Sequence, residues 1–178
     1  FDIRISTLPV IHGERLALRL LQKNTRVANI EELGFSPENL KKILELLHRP
    51  SGLFLVTGPS SSGKSTTVNA AVNAIQTPEK NIMTVENPIE YKLDFASQVT
   101  ASGDKSLTFA DALRAILHQN PNVIMLGEIR DAETGIVASE AALTGNLVLS
   151  TMLSADAIGT IFRLMNLGIP PFWVASTL

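Results

Sequence analysis

Hydrophobic and polar positions alternate with a period of two at the start of the chain. The stretches DIRIST (2–7) and ERLALRLL (14–21) place Ile, Leu or Ala on one face and mainly Arg, Glu or Ser on the other. This period is typical of half-buried strands, so we expect two strands joined by a loop at PVIHG (9–13). The polar segment that follows (22–35) is predicted to be a linker that contains one helical turn.

The pattern changes at Ser36. Ser36 and Pro37 form an N-cap and first-turn pair, and apolar residues then recur at helical spacing up to Leu47. Beyond Gly52, short apolar strands alternate with helices. The predicted order is strand 53–57, helix from Lys64, strand 81–86, helix 108–118, strand 122–127, helix 131–143, strand 146–151 and helix 156–167.

Three of these strands, GLFLV (52–56), NVIML (122–126) and NLVLS (146–150), are nearly continuous apolar runs. Such runs are expected of a mostly parallel sheet that is covered on both faces. We therefore predict an α/β fold preceded by the end of a strand-rich N-terminal domain. The predicted division is N-terminal strands at 1–22, a linker at 23–36, and an α/β nucleotide-binding domain at 37–178 that is incomplete at its C-terminus.

The composition permits a large core and gives no electrostatic reason to expect direct nucleic-acid binding. Hydrophobic residues make up 45 % of the chain and the net charge is −2, which argues against disorder and against a basic binding surface. The apolar stretches are only strand-length, so no membrane-spanning helix is predicted. Cysteine is absent, which excludes disulfides and thiolate zinc sites within these residues. Because the chain does not begin with Met, we expect a fragment.

The stretch GPSSSGKS (58–65) satisfies the pattern GxxxxGK[ST] between an apolar strand and a predicted helix. In such a loop, backbone N–H groups and the positive end of the helix bind phosphate. We expect Lys64 to reach the β- and γ-phosphates and the Ser65 hydroxyl to ligate Mg²⁺. If Ser61 needs a positive φ, it is penalised by roughly 1 kcal/mol relative to glycine. The predicted binding residues are Gly58, Pro59, Ser60, Ser61, Ser62, Gly63, Lys64, Ser65 and Thr66.

Two glutamates come directly after predicted strands. Glu86 ends IMTVE (82–86) and Glu128 ends NVIMLGE (122–128), so both are expected at the carboxyl edge of the sheet, where ligands bind in this architecture. Hydrolysis needs a group that orients the metal and a group that activates water, and these carboxylates are the candidates. The alternative for each is an ordinary surface glutamate. That alternative is weaker for Glu128, because Gly-Glu after four apolar residues is a demanding context.

Five motifs together resemble one known family. The chain is similar, in order and over essentially its whole length, to the secretion ATPases of the type II secretion and type IV pilus superfamily. The motifs are DIRISTLPVIHGERLALRLL (2–21), GLFLVTGPSSSGKSTT (52–67), MTVENPIEY (83–91), LRAILHQNPNVIMLGEIRDAETGIVASEAALTGNLVLSTM (113–152) and RLMNLGIPPF (163–172).

This resemblance implies a cytoplasmic, hexameric motor whose ATPase core is RecA-like and follows an N-terminal domain. It also implies ATP and Mg²⁺ as cofactors, with Lys64 and Ser65 binding phosphate and magnesium and Glu128 completing the metal site. The expected partner is an inner-membrane platform protein. Contact with the membrane would therefore be indirect, with the motor peripheral at the inner membrane through its partners.

The resemblance also implies catalytic roles. Glu86 lies in the acidic box as the water-activating base, and Glu128 closes the Walker B motif. Arg4 and Arg19 match arginines that the N-terminal domain presents to the nucleotide, and Arg114 matches another active-site arginine. A phosphate-sensing role needs a fixed positive charge, which arginine supplies. Solvated strand positions are the alternative for the two N-terminal arginines.

Several positions depart from the family pattern by replacing charged or titratable groups, and we expect them around the nucleotide. We therefore weigh an ATP-hydrolysing motor subunit against an ATP-binding but catalytically weak structural or regulatory subunit of such a ring. A small GTPase or metabolite kinase fits less well, because no Asn-Lys-x-Asp stretch is present. Asn87, Asn120 and Asn122 each stand where the family has aspartate, and His118 stands where it has arginine. Asn146 and Leu153 replace two histidines.

Overall fold

The computed structural model describes residues 2–21, 26–101 and 107–178, without the side chains of residues 2, 4 and 21. Among the helices in these ranges, none has the length and apolar character needed to cross a bilayer. The elements are β1 (Asp2–Val10), β2 (Gly13–Leu21), a 3₁₀ turn (Ile30–Leu33), α1 (Pro37–Leu47), β3 (Gly52–Gly58), α2 (Lys64–Ile75), β4 (Ile82–Glu86), β5 (Ser97–Thr100), α3 (Phe109–Leu117), β6 (Val123–Leu126), α4 (Ala132–Leu143), β7 (Leu147–Leu153), α5 (Ala157–Asn166) and α6 (Pro171–Thr177).

Strands β1 and β2 form an antiparallel hairpin, as their alternating pattern predicts. The turn contains only Ile11 and His12 and is shorter than the predicted loop, because Pro9 and Val10 remain paired with β2. The helical turn predicted in the following polar segment is the 3₁₀ turn. Its Ile30 is buried in the same cluster as residues of α2, so this part of the segment packs onto the α/β core.

Strands β3 to β7 form one parallel sheet in the order β3-β7-β6-β4-β5. Alternate residues of β7 enter two separate hydrophobic clusters. Val148 and Met152 lie in the cluster that contains residues of α3, α4 and α6, whereas Leu147 and Leu149 lie in the cluster with α1 and α2. Helices thus cover both faces of the sheet, which explains the continuous apolar strands and confirms the predicted α/β fold.

The predicted strands and helices of this domain are all present, with ends that differ by at most two residues. Two elements were not predicted. Strand β5 is short, pairs only with β4 and has the mixed sequence SQVT, so it lacks an apolar run. Helix α6 begins at Pro171, beyond the last predicted helix. Proline is well suited to the first helical position because that residue needs no N–H donor.

Helix α4 contacts the segment between α5 and α6 through Gly135. A Cβ atom at this position would collide with Cδ1 of Ile169 and lie 3.0 Å from its Cγ1. Because Ile169 is buried, we expect Gly135→Ala to lower the free energy of unfolding by about 1–3 kcal/mol, despite alanine's better helix propensity. Urea denaturation would measure the change.

The matched test adds Ile169→Val, which removes the colliding Cδ1 atom. Alone, this change should lower stability by about 0.5–1.5 kcal/mol. The double variant should lose less stability than the sum of the two single losses, because the collision is relieved. Strictly additive losses would show that this contact does not limit the residue at position 135.

Candidate active site

The loop between β3 and α2 is shaped by two glycines. A Cβ atom on Gly58 would lie 2.6 Å from the Ser62 hydroxyl oxygen, so a side chain at Gly58 would force that hydroxyl to move. Gly63 is the N-cap of α2 and adopts φ +90°, a conformation that glycine takes without strain. Ser61 lies at φ 61°, which is the positive φ considered from the sequence. Its expected penalty relative to glycine is about 1 kcal/mol.

The start of α2 presents groups that attract anions. No side chain caps the helix at Gly63, so its first N–H groups and the positive end of the helix dipole face the loop. The ammonium of Lys64 donates a 2.6 Å hydrogen bond to the carbonyl oxygen of Pro59 and lies across the loop. This combination is suited to binding phosphate oxygens.

A cavity of about 610 Å³ opens on this loop, which is the size of an ordinary small-ligand pocket. Residues 60–66 form one wall, while Gly58 and Pro59 do not line it. Residues at the carboxyl ends of the other strands form much of the rest. Among the lining residues are Arg19, Asn87, Glu128, Arg130 and Leu153.

Glu86, the last residue of β4, is buried, with 4 % of its surface exposed. Its Oε1 accepts hydrogen bonds from the Thr84 hydroxyl at 2.7 Å and from the Gln98 amide at 3.0 Å. Burial raises the pKa of Glu86 above its ordinary value of 4.5, and the two hydrogen bonds only partly oppose this. A carboxylate with a raised pKa is suited to accept a proton near neutral pH.

A smaller cavity of about 60 Å³ lies beside the loop and brings Ser65, Glu86 and Glu128 together. Glu128 is less buried than Glu86, with 23 % of its side chain exposed, and it forms an ion pair with Arg130. This pairing raises the pKa of Arg130. Arg130 was not among the predicted site residues, although its place two residues after Glu128 was a signal for it.

The residues of this site suit a magnesium nucleotide. No cluster of three or more His, Cys, Asp or Glu side chains able to hold a metal occurs in the three described ranges. Mg²⁺ does not need one, because it is bound through one or two protein groups, phosphates and water. The Ser65 hydroxyl and the Glu128 carboxylate lie at the cavity and are oxygen donors of the required kind.

The family is identified by comparison with known proteins. The model of the type II/IV secretion system protein family matches residues 1–178. The chain belongs to this family. It is 49 % identical over 177 residues to type II secretion system protein E of Dickeya dadantii (strain 3937), covering 99 % of this chain and 36 % of that protein. It is 46 % identical to the type IV pilus assembly ATPase PilB of Thermus thermophilus, covering 99 % and 20 %.

Solved structures agree with this assignment to the type II/IV secretion family. The pilus retraction motor PilT with bound ADP superposes with a TM-score of 0.75 at 40 % identity, covering 92 % of this chain and 47 % of that one. The Legionella pneumophila ATPase DotB gives a TM-score of 0.76 at 27 % identity, covering 98 % and 48 %. The chain thus spans about half of these structures and about a third of its protein E relative.

The three arginines predicted from the family differ in their positions. Arg19 lines the 610 Å³ cavity. Arg4 pairs with Arg19 in the hairpin register, but its side chain lies outside the described part of the structure. Arg114 lies on α3 away from both cavities and forms ion pairs with Asp111 at 3.2 Å and Glu133 at 2.8 Å. Of the two arginines whose side chains are described, Arg19 lies at this cavity and Arg114 does not.

Most departures from the family pattern lie elsewhere than expected. Asn87 and Leu153 do line the 610 Å³ cavity beside the phosphate loop. Asn122 and Asn146 instead precede β6 and β7 at the amino edge of the sheet, and the seven-residue β7 separates the two edges by about 20 Å. Asn120 lines a separate cavity there together with Asn122 and Asn146, and His118 caps the C-terminal end of α3. The expectation that all six replacements surround the nucleotide is thus wrong within one subunit.

The remote asparagines have a structural explanation. The Asn146 amide donates a 2.6 Å hydrogen bond to the Pro121 carbonyl. The Asn122 side chain accepts one of 2.7 Å from the Asn81 backbone. These bonds hold the loop before β6 against its neighbours. An uncharged amide satisfies such backbone partners directly, because it offers both a donor and an acceptor.

Proposed function

We propose that the protein is an ATP-hydrolysing motor subunit that powers type II secretion or type IV pilus assembly or retraction. The observation that carries this proposal is the small cavity, where Ser65 of the phosphate loop lies with Glu86 and Glu128. A phosphate-binding loop alone explains nucleotide binding. The two carboxylates beside it provide the additional groups that hydrolysis needs.

Each residue has a role in this proposal. Residues 60–66 bind the phosphates through backbone N–H groups, Gly58 and Pro59 complete the binding loop, and Lys64 neutralises charge on the phosphates. Ser65 and Glu128 would hold Mg²⁺, which when bound stabilises the negative charge that develops during phosphoryl transfer. Glu86 accepts the proton of the attacking water at its carboxylate, and its hydrogen bonds with Thr84 and Gln98 fix its orientation. Arg19 contributes a fixed positive charge at the wall of the 610 Å³ cavity.

The same proposal extends to the assembly. We propose a cytoplasmic homo-oligomer, a hexamer, that contacts an inner-membrane platform protein and is peripheral at that membrane through this partner. Residues 1–22 would belong to an N-terminal domain, with a linker at 23–36 and the RecA-like domain from residue 37. Arg4 and Arg114 would act as further active-site arginines in the assembled ring. The names of the PilB and PilT relatives support a pilus or secretion motor.

The test is phosphate release by the full-length protein in its oligomeric state, with saturating ATP. We expect turnover with Mg²⁺ and none above background with EDTA. Mg²⁺ would be held by only one or two protein groups together with phosphates and water, so the chelator can remove it. Binding of MgATP without phosphate release would contradict the motor proposal. That result would instead favour the catalytically weak ring subunit.

A further inference from the structure

Asn69 is a buried polar residue of α2 that the proposed mechanism does not use. It lies one helical turn beyond Ser65 and has 2 % of its surface exposed. Its Nδ2 donates a 2.9 Å hydrogen bond to the Ser65 carbonyl oxygen. Its Oδ1 has no hydrogen-bond partner among the described residues. A buried acceptor left in this way destabilises a protein, so it requires an explanation.

The orientation of the Asn69 amide is fixed by its neighbour. Rotating the amide by 180° would place Oδ1 against the Ser65 carbonyl oxygen, and two acceptors cannot form a hydrogen bond. The group without a partner is therefore an acceptor. It needs a molecule that donates a hydrogen.

The cavity beside Asn69 indicates what kind of donor fits. Asn69, Glu86 and Glu128 all line the 60 Å³ space next to Ser65, which is enough for a few water molecules. These two carboxylates and the amide oxygen make the lining of the small cavity rich in hydrogen-bond acceptors, so an anion would be repelled there. A hydrated divalent cation fits, because Mg²⁺ keeps several of its waters and their hydrogens point outward from the metal.

We propose that Asn69 is a positioning residue for magnesium, whose Oδ1 accepts a hydrogen bond from a water ligand of the ion. This inference rests on the proposed magnesium-nucleotide site. Asn69 then links the two sides of that site, since Nδ2 holds the backbone of Ser65 while Oδ1 holds the hydration shell. The interaction is one of hydration, so it affects nucleotide binding only when the metal is present.

The experiment measures binding rather than turnover. A fluorescent ATP analogue is titrated into the full-length protein with Mg²⁺ and with EDTA, and the ratio of the two dissociation constants is the coupling. For Asn69→Leu we expect the coupling to fall by about 5- to 10-fold, as for the loss of one hydrogen bond, with the affinity in EDTA unchanged. Asn73→Leu is the matched control, because Asn73 lies one turn further along α2 and lines neither cavity.

Asn69→Asp separates the proposed role from a purely structural one. Aspartate keeps an acceptor oxygen but cannot donate to the Ser65 carbonyl. If Asn69 acts on hydrated magnesium, Asp should retain the wild-type coupling or exceed it. If its only role is the bond to Ser65, Asp should lose coupling as Leu does, and the inference would be overturned.

Two further outcomes keep this test distinct from that of the proposed function. Wild-type coupling in Asn69→Leu would overturn the inference while leaving the magnesium-nucleotide site intact. Absence of nucleotide binding, or of any coupling, in the wild-type protein would overturn the proposed site itself and the inference with it. Thermal unfolding of each variant without nucleotide shows whether the protein is folded, and the Asp variant decides the question if Leu does not fold.

Discussion

Replacing Glu86 with glutamine is expected to lower ATP turnover by roughly 10²- to 10⁴-fold, the usual contribution of a general base. Glutamine keeps the side-chain oxygen that accepts from Thr84 and Gln98, so the local structure should persist. It lacks the basicity needed to take a proton from water. The affinity for MgATP should remain close to that of the wild type. Phosphate release at saturating MgATP and titration with a fluorescent ATP analogue measure the two quantities.

Glu79→Gln is the control for this variant, since Glu79 is an exposed glutamate that lines neither cavity. The pH profile gives a second control. Because burial raises the pKa of Glu86, wild-type turnover should increase with pH as this carboxyl loses its proton. The residual rate of the glutamine variant should lack that rise. Turnover within threefold of the wild type would exclude Glu86 as the base.

Replacing Lys64 with alanine is expected to weaken ATP binding by about 10- to 100-fold, as for the loss of charge-assisted hydrogen bonds. Turnover at saturating ATP should fall by a further 10²- to 10³-fold, because a positive group aimed at the transferring phosphate is removed. The loop itself should survive, since Gly58 and Gly63 set its shape. Binding titrations and phosphate release of the full-length protein measure both losses.

Lys80→Ala is the matched control for Lys64. Lys80 lies beyond the other end of α2 and donates a hydrogen bond to the Ile75 carbonyl oxygen at 3.1 Å. Its removal alters the charge of the protein equally but leaves the loop unchanged, so nucleotide affinity should be retained. Equal losses in both variants would show that overall charge, rather than the position of Lys64, determines binding.

The parts of the site that the sequence predicts are those determined by local order. A strand, a glycine-rich loop and a helix follow each other directly, so the positions of Gly58, Lys64 and Ser65 could be inferred from spacing alone. Glu86 and Glu128 could be placed because each comes at or just after the end of a buried strand. The environment of Glu86 was not predictable, since Gln98 belongs to the short strand β5, which lacks an apolar pattern.

Other features depend on packing that no local pattern encodes. The burial of Asn69 and the free oxygen of its amide follow from how α2 lies against the sheet. The remote position of Asn146 follows from the parallel register, in which Leu147 is level with Gly52 and Leu153 with Gly58. The family pattern identifies such positions as unusual. It does not tell at which edge of the sheet they lie.

The strand order has a consequence for how the protein is made. Strand β3, which carries the phosphate loop, pairs with β7 at its side of the described sheet, although β4, β5 and β6 come between them in sequence. During translation β3 leaves the ribosome long before its partner exists. The apolar residues of β3 stay exposed or only transiently covered until β7 emerges. Such non-local pairing is slow. The phosphate loop is thus synthesised before β4 to β7 and gains the support of β7 only after the whole of the intervening segment has been made.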